Sequence, residues 1–295
     1  MSFKSIIKLM DIKTLVAGIV PVILGSIYSK YAFGKFNAIY LILLIVAMIL
    51  IQSATNMIND YADFKCGADS KKSADEKALV SGEVTPKQVL FIIFLFQLIV
   101  FIIGFFIAGR TSYYIILIAI IGDIISISYA SGPFPISYTP IGEIVAGVTM
   151  GIGITTTVIY IQSGIISLNT VLVAIPTALF IGTILLSNNL SDIEEDREVG
   201  RKTLPILLGI KNAERLWIFN VILLLVLTLV LVLVHIYPIV VLVTVFIFFP
   251  YKSIFDFLSY DKNINTKGRT MGLIGKVGVK YHVAVAIGLL IGIML

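Results

Sequence analysis

The chain has 295 residues, 58% of them hydrophobic and 13% charged, with a formal net charge of +5 and a mean hydropathy of +1.04. A soluble domain of this size cannot hide so much apolar surface, so the composition excludes a water-soluble globular fold and predicts an integral membrane protein, whose all-α class follows from the runs below. The single cysteine, Cys66, excludes an intramolecular disulfide, and a fold without one must hold by helix packing.

Nine apolar runs follow in chain order. They are Thr14–Tyr28, Asn37–Ile58, Val89–Ala108, Ser112–Tyr129, Ile141–Ile161, Thr170–Asn188, Leu216–His235, Tyr237–Pro250 and Val277–Leu295. The first follows Lys4, Lys8 and Lys13 without a small-residue cleavage site, so it reads as a span that is kept. The stretch Leu216–Tyr251 exceeds the roughly 20 residues one crossing needs, and His235 with Pro238 is its natural break. Unpaired backbone groups cannot face lipid, and these runs lack two-residue alternation, so they predict helices and not barrel strands.

With the N-terminus inside, 19 of the 22 lysines and arginines fall on the cytoplasmic side, leaving only Lys30, Lys35 and Arg110 opposite. That bias predicts a multi-pass protein of the cell membrane, N-terminus cytoplasmic and C-terminus outside. The sequence pI of about 9.1 then reports topology and attraction to anionic lipid headgroups, making the bilayer the partner and giving no reason to invoke nucleic acid.

Two polar stretches break the apolar pattern where the second and sixth runs leave the membrane. The first is NMINDYADFKCGADS, from Asn56 to Ser70; the second is NNLSDIEEDREVGRKTLP, from Asn188 to Pro205. Asn188, Asp192 and Asp196 are spaced so that a continuous helix would present all three on one face, and Asn59 with Asp63 repeats the first interval. Runs two and six are four spans apart, so the chain reads as two four-helix repeats plus one helix, with an acidic site in each repeat. Carboxylate clusters facing one another would repel without an intervening cation. Hard oxygen donors suit Mg²⁺, whose shell substrate phosphates typically complete. An acidic cluster beside a span also arises as an ordinary solvated loop; the repetition at equivalent helix ends favours a diphosphate clamp.

These two motifs resemble the aspartate-rich pair of the UbiA superfamily of intramembrane prenyltransferases, and within it the 1,4-dihydroxy-2-naphthoate prenyltransferases of menaquinone biosynthesis. The Gly67-x-Asp69 ending, KTLVAGIVPVILG from Lys13, ALVSGEVTP from Ala78 and YASGPFPISYTPIGE from Tyr129 to Glu143 carry the likeness. It covers about two thirds of the chain, and beyond Arg215 only hydropathy is shared. The resemblance implies a single domain over residues 1–295, with nine helices in a horseshoe around a lipid-open cavity under a cytoplasmic cap. It implies Mg²⁺ as cofactor, with polyprenyl diphosphate and a small aromatic acceptor as partners.

By motif position, Asn59, Asp63, Asp69, Asp192 and Asp196 would hold metal and diphosphate, with Asp63 and Asp192 central to catalysis. Asp60 and Asn188 are second choices. Lys13, Lys77, Arg201 and Lys202 are the basic candidates for substrate, although Arg201 and Lys202 equally mark the cytoplasmic side. Relatives carry arginine at the position of Lys77, and Arg-Pro where this chain has Asp11-Ile12. Tyr129 and Tyr138 would line the reacting centre or serve as interfacial tyrosines. Glu143 is expected to face the cavity, since a bare charge inside a span is costly. Asp123 is a functional or a helix-pairing residue, His235 and His282 read as structural, and Gly147, Gly151 and Gly153 predict close helix packing. A cation-coupled secondary transporter is the alternative of a different class; acids at helix ends and a parallel repeat disfavour it.

Overall fold

The structure is a computed structural model and describes residues 2–67, 77–252, 254 and 269–295. Among these, every regular element is helical and there is no strand. The chain divides into two compact units, Met1–Ile19 with Ala38–Ile136, and Val20–Asn37 with Ser137–Leu295. One helix, α2 (Val16–Phe33), runs across the division and carries Pro21 just beyond it.

In the first unit, α1 (Phe3–Met10) starts where Ser2 Oγ accepts the Ser5 N–H at 3.1 Å. Its Leu9 is fully buried with Met57, Leu79, Val84 and Val89, so an eight-residue helix that is marginal alone is held by tertiary packing. A 3₁₀ turn, Ile12–Leu15, leads into α2. The next helix, α3 (Ala38–Cys66), has 29 residues. At 1.5 Å per residue it reaches about 43 Å, longer than the roughly 30 Å hydrocarbon core, so it is long enough to span the core and still carry its polar last turns outside it. Thr85 and Gln88 form a reciprocal capping box at the start of α4 (Pro86–Ala108), with Pro86 in the first turn, where it lacks no needed donor. The last helix of this unit, α5 (Tyr114–Ala130), meets α3 through the hydroxyls of Thr55 and Ser126, 2.8 Å apart. Asp123 of α5 lies within electrostatic reach of the Gln97 side chain of α4.

The second unit contains α6 (Gly142–Ala146), a π-helical stretch over Gly147–Gly153, α7 (Ile154–Ser163), α8 (Leu168–Leu172), α9 (Ile175–Ser191), α10 (Ile193–Glu198), α11 (Leu204–Leu208), α12 (Ile210–Leu233), α13 (Val240–Phe248) and α14 (Arg269–Met294). The π stretch lies hard against α9: a Cβ on Gly147 or Gly151 would come within 2.6 or 2.2 Å of Ala178 backbone atoms. Gly153 has only ordinary contacts, so two of the three glycines do the packing expected of the series. The break expected at His235 is present; α12 ends at Leu233, His235 adopts φ 59°, and α13 begins at Val240. His282 is buried against Phe180 and Tyr281, with Nδ1 2.7 Å from the Gly278 carbonyl, in keeping with a structural role.

Among the described residues, seven helices are long and apolar enough to cross a bilayer: Val16–Phe33, Ala38–Lys65, Pro86–Ala108, Gly142–Ser163, Leu168–Ser191, Ile210–Leu233 and Gly272–Met294. Tyr114–Ala130 is a shorter apolar helix. Rows of exposed Phe, Ile and Leu along α4, including Phe91, Phe94 and Phe101, are what a lipid-facing surface needs and what water would not tolerate.

Candidate active site

The first motif ends α3. Asn59 and Asp63, one turn apart in an unbroken helix, share a face and are half-buried. Asp60 lies about 100° around the helix and receives the Lys77 ammonium, which returns from the segment before α4. Lys77 therefore sits on the acidic helix end of its own unit. One turn earlier, the Asn56 amide donates to the Met10 carbonyl at 2.7 Å and to Thr14 Oγ1 at 2.8 Å, tying the segment after α1 to α3. No motif position marks Asn56; its polarity inside an apolar helix is the signal that points to it. Asp69 and the Lys13 side chain lie outside the described residues.

The second motif joins α9 to α10. The continuous helix expected through Asn188, Asp192 and Asp196 breaks at Asp192, which has φ −104° and ψ 15°. The i to i−4 bonds from Asp192 N to Asn188 O and from Asp196 N to Asp192 O, 3.1 and 2.8 Å, nevertheless persist through the break. The three residues differ in burial as a result: Asn188 is exposed, Asp192 half-buried and Asp196 buried. Arg201 Nη1 donates to Asp196 Oδ1 at 3.0 Å, and its guanidinium lies 4.8 Å from the centre of the Tyr138 ring. The Lys202 backbone N–H donates to the Tyr138 carbonyl at 2.9 Å, while its side chain is exposed. Tyr138, Arg201 and Asp196 thus form one layer, in which a cation is held between a carboxylate and an aromatic face.

Glu143, in the first turn of α6, is 5% exposed. Its Oε1 accepts the Asn189 amide at 2.8 Å, while Oε2 has no hydrogen-bond partner among the described residues. Asp196 lies within its electrostatic reach. The structure therefore brings Glu143, Asp196, Arg201 and Tyr138 together in the second unit, while Tyr129, half-buried near the end of α5, belongs to the first. Among the described residues no three His, Cys, Asp or Glu side chains gather to hold a metal unaided. What each motif offers is carboxylate and amide oxygen, a donor set that fits Mg²⁺ when phosphate and water complete the shell.

These features define a class: a multi-pass helical membrane protein with acidic, oxygen-donor motifs at the ends of two of its helices. The sequence model of the UbiA prenyltransferase family matches residues 18–271. Over 204 residues the chain is 38% identical to the 1,4-dihydroxy-2-naphthoate octaprenyltransferase of Bacillus subtilis (strain 168), covering 69% of this chain and 65% of that protein. It is 33% identical over 196 residues to the Homo sapiens UbiA prenyltransferase domain-containing protein 1, covering 65% of this chain and 57% of that one. These matches span less than two thirds of the length of either relative. Among solved structures, a UbiA homolog from Archaeoglobus fulgidus bound to GPP and Mg²⁺ superposes with a TM-score of 0.70 at 15% identity, over 99% of this chain and 100% of that one. The apo UbiA homolog from Aeropyrum pernix K1 gives 0.69 at 17% identity, over 94% and 98%. The chain belongs to the UbiA prenyltransferase family.

Proposed function

We propose that this protein transfers a polyprenyl group from polyprenyl diphosphate to 1,4-dihydroxy-2-naphthoate in a Mg²⁺-dependent reaction, with loss of CO₂ to give demethylmenaquinone. The observation that carries the reading is the pair of oxygen-donor motifs, Asn59 with Asp63 and Asp192 with Asp196, at helix ends of a UbiA-family chain. The name of the Bacillus relative supports the acceptor, and the Archaeoglobus homolog's bound GPP and Mg²⁺ support the donor and metal. In this reading residues 1–295 form a single domain of nine spans, two four-helix repeats and one more helix, with the N-terminus cytoplasmic and the C-terminus outside.

Asn59, Asp63, Asp69, Asp192 and Asp196 would hold the metal, and Asn188 would contribute its amide to the diphosphate. When bound, Mg²⁺ would supply charge neutralisation for the departing diphosphate. Lys13, Lys77, Arg201 and Lys202 add fixed positive charge where negative charge develops; Arg201 is already oriented by Asp196 and Tyr138. The allylic carbon–oxygen bond breaks with its electron pair going to diphosphate. The ring carbon bearing the carboxylate supplies the pair for the new carbon–carbon bond, and departure of CO₂ restores aromaticity. No strong general base is needed, which suits motifs without histidine. Tyr129 offers an aromatic face to the allylic cation, a contact worth about 0.5–2 kcal/mol, and Tyr138 acts through the Arg201 guanidinium that its ring carries. Glu143, through its second oxygen, accepts an acceptor hydroxyl.

The test is a competition in which purified protein receives one labelled polyprenyl diphosphate, Mg²⁺, 1,4-dihydroxy-2-naphthoate and 4-hydroxybenzoate. Label on the naphthoate-derived product with CO₂ released is expected. Label on hydroxybenzoate with CO₂ retained would remove the menaquinone assignment while keeping prenyl transfer.

A further inference from the structure

The second motif stands at a helix break, and what fixes its orientation lies in the sequence 46 residues upstream of Asn189. α9 ends at Ser191 and the chain turns at Asp192, so the motif's geometry depends on how the last turn of α9 is held. That turn is buried on the side of Asn189, whose amide donates to Glu143 Oε1 at 2.8 Å with both side chains inside the protein. Backbone packing leaves the contact little freedom. A Cβ on Gly182 would come within 3.0 Å of the Glu143 carbonyl oxygen, and Gly147 and Gly151 admit no Cβ against Ala178.

We infer that Glu143 is a positioning residue for the second acidic motif: through Asn189 it sets the rotation of the end of α9 and thereby the placement of Asn188 and Asp192 for a metal–diphosphate ligand. The inference rests on the proposed function and adds a role for Glu143 separate from any contact with the acceptor. Groups that support ligands from behind typically change metal affinity by about 10–100-fold when removed.

The experiment measures Mn²⁺ uptake by the purified full chain in the presence of inorganic diphosphate, without acceptor, from the loss of the free Mn²⁺ electron paramagnetic resonance signal. The sole tryptophan, Trp217, is buried and bonded to Ser187 of α9, so its emission maximum reports in each variant whether this region is folded. Glu143→Ala and Asn189→Ala should each raise half-saturating Mn²⁺ about ten-fold or more, and the double variant should be no worse than the poorer single one. Glu143→Gln, which retains an acceptor for Asn189, should stay closer to wild type. Folded Ala variants with wild-type uptake would overturn the inference, as would Glu143→Gln as impaired as Glu143→Ala, since the charge would then act directly. Wild-type protein that takes up Mn²⁺ but transfers no prenyl group contradicts the proposed function and leaves this inference standing; wild-type protein with no uptake overturns both.

Discussion

The indole N–H of Trp217 in α12 donates to Ser187 Oγ in α9 at 2.9 Å, with both residues completely buried. Ser187 in turn donates to the Thr183 carbonyl at 2.8 Å, and Thr183 Oγ1 accepts the Asn220 amide at 3.1 Å, so α9 and α12 are stitched by polar contacts within one apolar seam. The helix carrying the second acidic motif is thereby fixed along its length as well as at its end. Trp217→Phe removes the donor and leaves a small void. It should destabilise the protein by about 1–3 kcal/mol, seen as a lower melting temperature by circular dichroism in detergent.

The seam between the π stretch and α9 makes a sharper prediction. Gly151→Ala would put a methyl group 2.2 Å from the Ala178 Cα, so the two helices must move apart. Overpacking of this kind costs about 1–3 kcal/mol or more, and the yield of folded protein should fall. Gly153→Ala meets nothing nearer than 3.6 Å and should be tolerated. Equal thermal stability of the two variants would show that the close approach is not what holds α9.

At the N-terminal end, Glu83 ties down α1. Lys8 Nζ and Ser5 Oγ donate to its two carboxylate oxygens at 3.0 and 2.9 Å, and these bonds, that to Lys8 foremost, hold the carboxyl below its ordinary value of 4.5. Because the folded value is the lowered one, the tether is complete above that ordinary value and is lost as pH falls through the folded one. Protection of the Phe3–Met10 amides against hydrogen exchange, taken relative to the intrinsic rate at each pH, should fall below about pH 4.5, and Glu83→Gln should lower it at every pH.

Topology can be tested apart from chemistry. The charge bias, with 19 of 22 basic residues on one side of the nine-span arrangement, predicts that a reporter fused after Leu295 lies outside the cytoplasm. A cytoplasmic reporter would remove that arrangement.

Hydropathy alone located most spans, because lipid-facing helices must be apolar along their whole length, and the motifs at Asn59 and Asp192 stood out as polarity against that background. What hydropathy could not show was anything made by contact. The polar end of α3 from Asn59 to Cys66 continues as helix beyond the apolar run that ends at Ile58, a continuation marked only by the Asn59–Asp63 spacing and not by hydropathy. An eight-residue α1 has too few turns to declare itself, and the π turn over Gly147–Gly153 leaves no distinct period. The pairings Lys77 with Asp60, Asn56 with Met10 and Asn189 with Glu143 join residues 17 to 46 positions apart, and no local pattern specifies them. Arg201, read from sequence as either a phosphate ligand or a marker of the cytoplasmic face, is held by Asp196 and Tyr138, which ties it to the motif.

The central claim is that carboxylates of both motifs act in metal-dependent departure of diphosphate. Its most direct test is inorganic diphosphate release from a polyprenyl diphosphate and 1,4-dihydroxy-2-naphthoate, measured for wild type, Asp63→Asn and Asp192→Asn with and without Mg²⁺. Wild-type release should vanish on chelation and return with Mg²⁺. Each variant, folded by its circular dichroism melting curve in detergent, should lose about 10²-fold or more in rate, as expected when a group stabilising transition-state charge is removed. Undiminished release from either folded variant, or from chelated wild type, would contradict the account.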